Sequence, residues 1–281
     1  MTIFGLWKHK DEEGIMPEGP EVRRQADGLR EVLAGETLTG VHVLGGKWLK
    51  KEPAGLAEFV EQLPLSIERV SVKGKAIQIS LSEDWHLWST LGMGGYWGME
   101  RERHSHLEMS TQGGIVWFTD VRRFGNLICM RGDELRKRLA GIGPDLLNEE
   151  VASDLFRERL MKKSHWNITK ALMDQRVVSG IGNYLKAEVL YRCGISPWRQ
   201  CGDLSEVEVE SIRVVASRIM RESFARGGAT IQSYRDVHGT PGEFSFHFLV
   251  YGQRLDPEGR EVIRELTPDG RTTHWVPEVQ R

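Results

Sequence analysis

The chain has 281 residues, with 38 lysines and arginines against 40 aspartates and glutamates and a formal net charge of −2. That length supports one large or two modest cores, and no apolar run approaches the ~20 residues of a membrane-spanning helix. Three cysteines, Cys129, Cys193 and Cys201, are too few and too scattered for a disulfide framework, which points to a reducing intracellular setting.

Residues 1–15 carry Lys8, Lys10, Asp11, Glu12 and Glu13 and no long apolar core. They read neither as a secretory signal nor, with these acids, as a mitochondrial presequence. Met16-Pro17-Glu18-Gly19-Pro20-Glu21-Val22 follows. Pro20 suits a first helical turn, Val22, Ala26, Leu29 and Leu33 recur at helical spacing, and Gly35 ends the run. Read alone, the segment is a helix start.

Pro17 adds a chemical possibility. If Met16 is removed, Pro17 becomes a free secondary amine. A terminal amine titrates near ~7.7–8.0, so a useful fraction is neutral at physiological pH. A lysine must lose about two pKa units to match it. Such an amine can attack C1′ of a nucleoside sugar and expel the base. The iminium that forms acidifies the C2′ proton, so strand elimination can follow. Glu18 stands beside it as the proton-transfer partner. Inside a chain the same proline is an inert amide, so residues 1–15 are expected to be a leader absent from the active mature chain.

Short runs at Val41–Leu44, Ile67–Val72, Ala76–Leu81, Ile115–Thr119 and Leu127–Met130 are rich in β-branched or aromatic residues and bounded by breaks. They predict a sandwich or small barrel. From about Asp133 the period turns helical, at Glu134–Leu139, Ser153–Met161, Ile168–Asp174, Asn183–Tyr191 and Leu204–Phe224. Gly141-Ile142-Gly143-Pro144 marks the change of domain. Phe246–Trp275 returns to strands. Between Arg157 and Arg199 nine basic residues face only Glu158, Asp174 and Glu188, a stripe that fits either a solvated helical face or a phosphate-binding surface.

Further motifs run in order: Lys73-Gly74-Lys75, Leu91-Gly92-Met93, Asp120-Val121-Arg122-Arg123-Phe124-Gly125, Ala171-Leu172-Met173-Asp174-Gln175, Gly180-Ile181-Gly182-Asn183-Tyr184, Ala187-Glu188 and Val250-Tyr251-Gly252. With the 16–22 segment they resemble the Fpg/Nei family, the formamidopyrimidine-DNA glycosylases and endonuclease VIII-like enzymes, from Met16 to Arg281. The resemblance implies an α+β protein: an N-terminal catalytic β-sandwich (16–143), a helical helix–two-turn–helix DNA-binding domain (144–243) and a C-terminal hairpin finger (244–281). It implies catalytic roles for Pro17, Glu18 and Lys75, with Glu21 and Glu188 in support. Met93, Arg122 and Phe124 would fill the gap left by an extruded nucleotide; the types suit a flexible plug, a donor to the orphaned base and a wedge. Lys170 and Asn183 would meet phosphate, Asn183 as the cap of a helix N-terminus.

The last segment departs from many family members, because beyond Cys201 there is no cysteine. His238, His247 and His274 lack the spacing of a structural zinc site. A zincless finger of the Nei-like branch is therefore expected, packed by Trp275, Val262 and Ile263, with Arg271 at its tip toward phosphate. The implied function is a bifunctional DNA glycosylase and AP lyase of base-excision repair, acting through a Pro17 Schiff base and β,δ-elimination. No metal or organic cofactor is implied. The implied partner is double-stranded DNA with oxidised or abasic sites, bound by a monomer in cytoplasm, nucleoid or nucleus, with no membrane. The alternative is a non-catalytic damaged-DNA-binding protein, if residues 1–15 are retained. On lesion choice the residues divide: Met93, Arg122 and Phe124 look Fpg-like, the finger Nei-like, and the reading leans to hydantoins and ring-opened purines. Ala229–Phe244 is expected to form a loop over the flipped base.

Overall fold

Alternating apolar residues in the first half build one antiparallel sheet. In the computed structural model, residues 16–229 and 247–281 are described; the expected leader 1–15, His238 and nearly all of the expected lesion loop lie outside them. Helix α1 (Gly19–Leu33) comes first. Strands β1 (Thr37–Val43), β2 (Leu65–Lys73), β3 (Ala76–Leu81), β4 (Trp85–Thr90), β5 (Tyr96–Gly98), β6 (Ser105–Thr111), β7 (Ile115–Thr119) and β8 (Asn126–Arg131) follow, with a short helix α2 (Leu56–Val60) before β2. Their order is β5-β7-β6-β1-β2-β3-β4-β8.

The β1–β2 ladder consists of only Thr37↔Ser66 and Leu38↔Leu65. The sheet folds at this weak seam into two four-stranded layers. Their inner faces share one core, with Val41, Trp97, Leu107 and Phe118 from one layer and Ile67, Val70, Ile79 and Leu87 from the other. Trp97 Nε1 donates across the layers to Ser89 Oγ at 3.0 Å. Helix α1 adds Val22, Ala26, Leu29 and Leu33 to this core. The valine and the two leucines each contribute about 1.5–3 kcal/mol by leaving water.

Three strands escape the sequence pattern, β4, β5 and β6. In β6 the residues Ser105 and His106 are buried beside Leu107 and Met109, so no polar-out alternation is visible. The polar pair is satisfied by distant partners: Ser105 Oγ meets Thr119 Oγ1 at 2.8 Å, and His106 Nε2 donates to the Asp120 carbonyl at 3.0 Å.

The second half is helical: α3 (Gly132–Ala140), α4 (Ser153–Met161), α5 (Ile168–Met173), α6 (Asn183–Arg192) and α7 (Glu206–Ala225). Helix α7 begins with a reciprocal cap, in which Ser205 Oγ accepts from Glu208 N and Glu208 accepts from Ser205 N at 2.7 Å. Helix α6 is buried on every side from Tyr184 to Tyr191. Around it lie Phe156, Leu160, Ile168, Leu172, Ile212 and Ile219. An all-round buried helix must find partners for any charge it carries, and Lys186 and Glu188 do so below.

The two halves are tied at their linker. The Asp145 carboxylate accepts from Gly74 N at 2.7 Å, in the β2–β3 turn, and from Leu147 N and Asn148 N. The finger holds two four-residue strands, β9 (Ile263–Leu266) and β10 (Thr272–Trp275), paired from Ile263↔Trp275 to Leu266↔Thr272. Its packing differs from expectation. Val262 is buried, but Ile263 and Trp275 are only half-buried. The interior is instead Val250, Val276 and the rings of Phe248, Tyr251 and His274, which stack on one another and on Tyr184. Among the described residues no helix is long and apolar enough to cross a membrane.

Candidate active site

The start of α1 abuts the start of α6. Gly19 N donates to the Gly180 carbonyl at 2.8 Å, and there is no room for a side chain between them: a Cβ on Gly19 would stand 3.2 Å from Gly180 Cα. This contact delivers Glu18 to the N-terminus of α6. Its carboxylate accepts from Gly182 N at 2.6 Å, Tyr184 N at 2.9 Å and Leu185 N at 3.3 Å. A helix N-terminus is a favourable site for negative charge. Here that charge is internal. The structure thus corrects the expectation that these amides are open to a phosphate, and the N-cap is Gly182, with Asn183 one residue further in.

Glu18 is 1% exposed and Glu21 is 0% exposed. Glu21 accepts from Glu18 N and Ala229 N, both at 2.7 Å, and from Tyr184 Oη at 3.1 Å. Burial raises both carboxyls to about 7, against the pull of Lys75 and the Tyr184 and Gly182 amides on Glu18, and of the Ala229 and Glu18 amides on Glu21. Burial lowers the Lys75 ammonium, opposed by the charges of Glu18 and Glu21. The side chain of Lys75 is nonetheless partly open to solvent. Its Nζ and the Glu18 carboxyl both border Gly182, where a Cβ would stand 2.5 Å from the ammonium and closer still to the carboxyl. Pro17 is buried directly before Glu18. Three of the sequence-derived residues, Pro17, Glu18 and Lys75, therefore converge, with Glu21 beneath them.

A second group gathers on two turns of the sandwich. The turn after β4 holds Met93 and the turn after β7 holds Arg122 and Phe124. The turns touch at Gly92, where a Cβ would come within 2.5 Å of Gly125 N. Gly92 also has φ +65°, a conformation that favours glycine. Phe124 is 58% exposed, and the Arg122 guanidinium lies 5.7 Å from its ring centroid. Buried Asp120 builds this turn by accepting from Arg122 N at 3.1 Å and Gly125 N at 2.7 Å. Its bond to Arg122, two residues on, is that of a side chain mimicking a turn, a signal in the motif that carried no assigned role.

The finger comes in from the other side. Arg271 sits in the β9–β10 turn, and its charge bears on both Lys75 and Lys186. Asn183 Nδ2 donates to the Thr272 carbonyl at 3.0 Å. Glu188 lies at the finger's root: its carboxylate accepts from Leu249 N, Val250 N and Tyr251 N at 2.9–3.1 Å and pairs with Arg192. Its support is to the finger's attachment. Tyr184 escaped the sequence reading. Its hydroxyl joins Glu21 to Ser223 on α7.

The basic stripe is mostly engaged internally. Arg157 pairs with Glu206, Arg199 with Glu208, Arg176 with Asp174, Lys162 with Glu158 and Lys186 with Asp269. Glu206, Glu208 and Asp269 lie outside the span from Arg157 to Arg199, so a local count misses them. Lys170 is exposed on α5, its ammonium 4.4 Å from the Trp166 ring centroid, and Lys163 lies at the same distance from that ring.

Known proteins are similar to this chain along nearly its whole length. The formamidopyrimidine-DNA glycosylase N-terminal domain matches residues 16–127, its H2TH domain 142–235 and its C-terminal domain 236–281. The formamidopyrimidine-DNA glycosylase of an Exiguobacterium species is 32% identical over 279 residues, covering 95% of this chain and 100% of that protein. The crystal structure of the Thermus thermophilus Fpg protein superposes with a TM-score of 0.83 at 32% identity, covering 94% of this chain and 98% of that one. A Lactococcus lactis Fpg mutant in complex with a Fapy-dG-containing DNA gives a TM-score of 0.84 at 27% identity, covering 94% and 100%.

Proposed function

The chain belongs to the formamidopyrimidine-DNA glycosylase family, and on that premise we propose that it is a bifunctional DNA glycosylase and AP lyase. The Pro17 nitrogen attacks C1′ of a damaged nucleotide in duplex DNA. The C1′–base bond breaks and the base leaves with a proton. The Pro17 nitrogen sheds its own proton, and the sugar ring then opens at the C1′–O4′ bond, O4′ taking a proton, to give an iminium between Pro17 and C1′. The iminium acidifies the C2′ proton, whose removal expels the 3′ phosphate; a second elimination expels the 5′ phosphate, and water releases the sugar fragment from Pro17. Glu18 is the carboxyl that moves protons at the sugar. Lys75 holds a phosphate or the opened sugar's oxygens. Met93, Arg122 and Phe124 occupy the space the extruded nucleotide leaves, and Arg271 and Lys170 face the DNA backbone.

One observation carries this reading. Glu18 is fully buried between Lys75 and the α6 amides, and burial holds its carboxyl near neutrality at about 7. A carboxyl poised there can both give and take a proton at physiological pH. The test is borohydride trapping. Protein beginning at Pro17 is expected to cross-link to abasic-site DNA, and Pro17→Gly to lose most of the adduct. No adduct from the wild type refutes the mechanism.

The amine must be free. A chain that keeps residues 1–15 holds Pro17 as an amide, and it would bind damaged DNA without cutting it. Intact mass of the native protein separates the two states. For the lesion we favour hydantoins and ring-opened purines; the named relatives are formamidopyrimidine-DNA glycosylases. Strong release of 8-oxoguanine with negligible pyrimidine activity, in a lesion-duplex panel, would count against this preference.

A further inference from the structure

Lys186 is a cation in an unusual place. Its side chain is 0% exposed, and its ammonium reaches Asp269, 2% exposed, at 2.5 Å. Such a pair adds little net stability over apolar packing, so its geometry matters more than its energy. Asp269 lies in the turn between β9 and β10. Thr267 Oγ1 donates to Asp269 Oδ1 at 2.6 Å, and Thr267 N donates to the Arg271 carbonyl at 3.0 Å. One helical turn before Lys186, Asn183 holds the Thr272 carbonyl. Arg271 is therefore flanked by two points, Asp269 and Thr272, that are both fastened to α6. The other charges facing Lys186 are Glu18, which attracts it, and Arg271, which repels it. The amides at the start of the same helix grip Glu18. One rigid element thus sets the spacing between Glu18 and the fingertip arginine.

We infer that Lys186 is a positioning residue that aims Arg271 over the site through Asp269, an inference that rests on the DNA-lyase reading above. The experiment is a double-mutant cycle on protein beginning at Pro17, with an abasic-site duplex as substrate. Lys186→Met should raise KM about tenfold with little change in kcat, the signature of lost uniform binding. It should also lower the slope of log affinity against log salt by about one phosphate contact. In an Arg271→Ala background Lys186→Met should change neither quantity further, and Lys186→Arg should stay near wild type. Equal losses in both backgrounds, or an unchanged KM and salt slope, overturn the inference. Should Lys186→Met not fold, Asp269→Asn enters the same cycle, because it removes the charge and keeps a hydrogen-bonding group. A wild type that forms no borohydride adduct defeats the lyase reading instead, and the salt-slope arm still decides the role of Lys186.

Discussion

Gly182→Ala tests the site most directly. Gly182 has φ −132° and ψ −154°, an extended conformation that alanine adopts without strain. The added methyl would stand 2.5 Å from Lys75 Nζ and nearer still to the Glu18 carboxyl, whereas ordinary contact begins at 3.4 Å. The two groups must retreat by about 1 Å, a displacement that can cost ~100-fold in rate. Glu18 cannot retreat freely, because three amides from the same turn hold it. Overpacking of this kind typically costs ~1–3 kcal/mol of stability. Single-turnover trapping on abasic DNA should therefore fall about 100-fold, while the thermal melt stays cooperative and drops by several degrees. Gly98→Ala is the control, since its Cβ would meet Tyr96 at an ordinary 3.5 Å. Trapping by Gly182→Ala near the wild-type rate, or an equal loss in Gly98→Ala, would refute the proposed roles of Glu18 and Lys75.

Three further outcomes are expected. Burial lifts the Glu21 carboxyl from its ordinary 4.5 to about 7. A carboxyl raised in the folded state stabilises the fold below pH 4.5, and that contribution is lost as pH climbs through about 7. At ~1.4 kcal/mol per pH unit this amounts to about 3 kcal/mol. Urea melts at pH 5 and pH 8 should show the fall, and Glu21→Gln should reduce it by about half, because Glu18 is raised to the same value and keeps its own share; parallel profiles would contradict the assignment. Asp120→Ala leaves the buried Gly125 N without its carboxylate, at a cost of ~1–3 kcal/mol. It should weaken binding to abasic duplex in titrations while Pro17 chemistry at saturating DNA persists. Glu188→Ala strands Arg192 and three backbone amides, a loss of ~3–5 kcal/mol. Hydrogen exchange at Leu249–Tyr251 should rise sharply.

The residues proposed to carry the chemistry were legible because they sit in local motifs. Pro17-Glu18 and Lys75 can be named from sequence, and the fold brings them together. Their partners were not legible. Glu18 meets Gly182 across 164 positions, and no local pattern says that the amides of α6 belong to a carboxylate from another domain. The basic stripe stayed open between a solvated face and a phosphate surface for the same reason: Lys186 looks like one more surface cation until Asp269 is folded against it. Strand β6 was hidden because His106 and Ser105 are buried polar residues whose partners lie on β7 and in the turn that follows it. The absence of cysteine beyond Cys201 leaves the finger to be held by other means. Those means, the Glu188 nest and the Lys186–Asp269 pair, are spread over about sixty to eighty residues of separation.

The grip of α6 on Glu18 carries a mechanical consequence. Glu18 belongs to the sandwich half, while the amides of Gly182, Tyr184 and Leu185 belong to the helical half. A motion that separated the two halves would strip those donors from the carboxylate and admit water to it. The acid therefore has no fixed strength of its own. Its proton affinity is set by both halves, burial raising it and the α6 amides lowering it, so in the proposed mechanism any change in how the halves meet would also retune the proton donor.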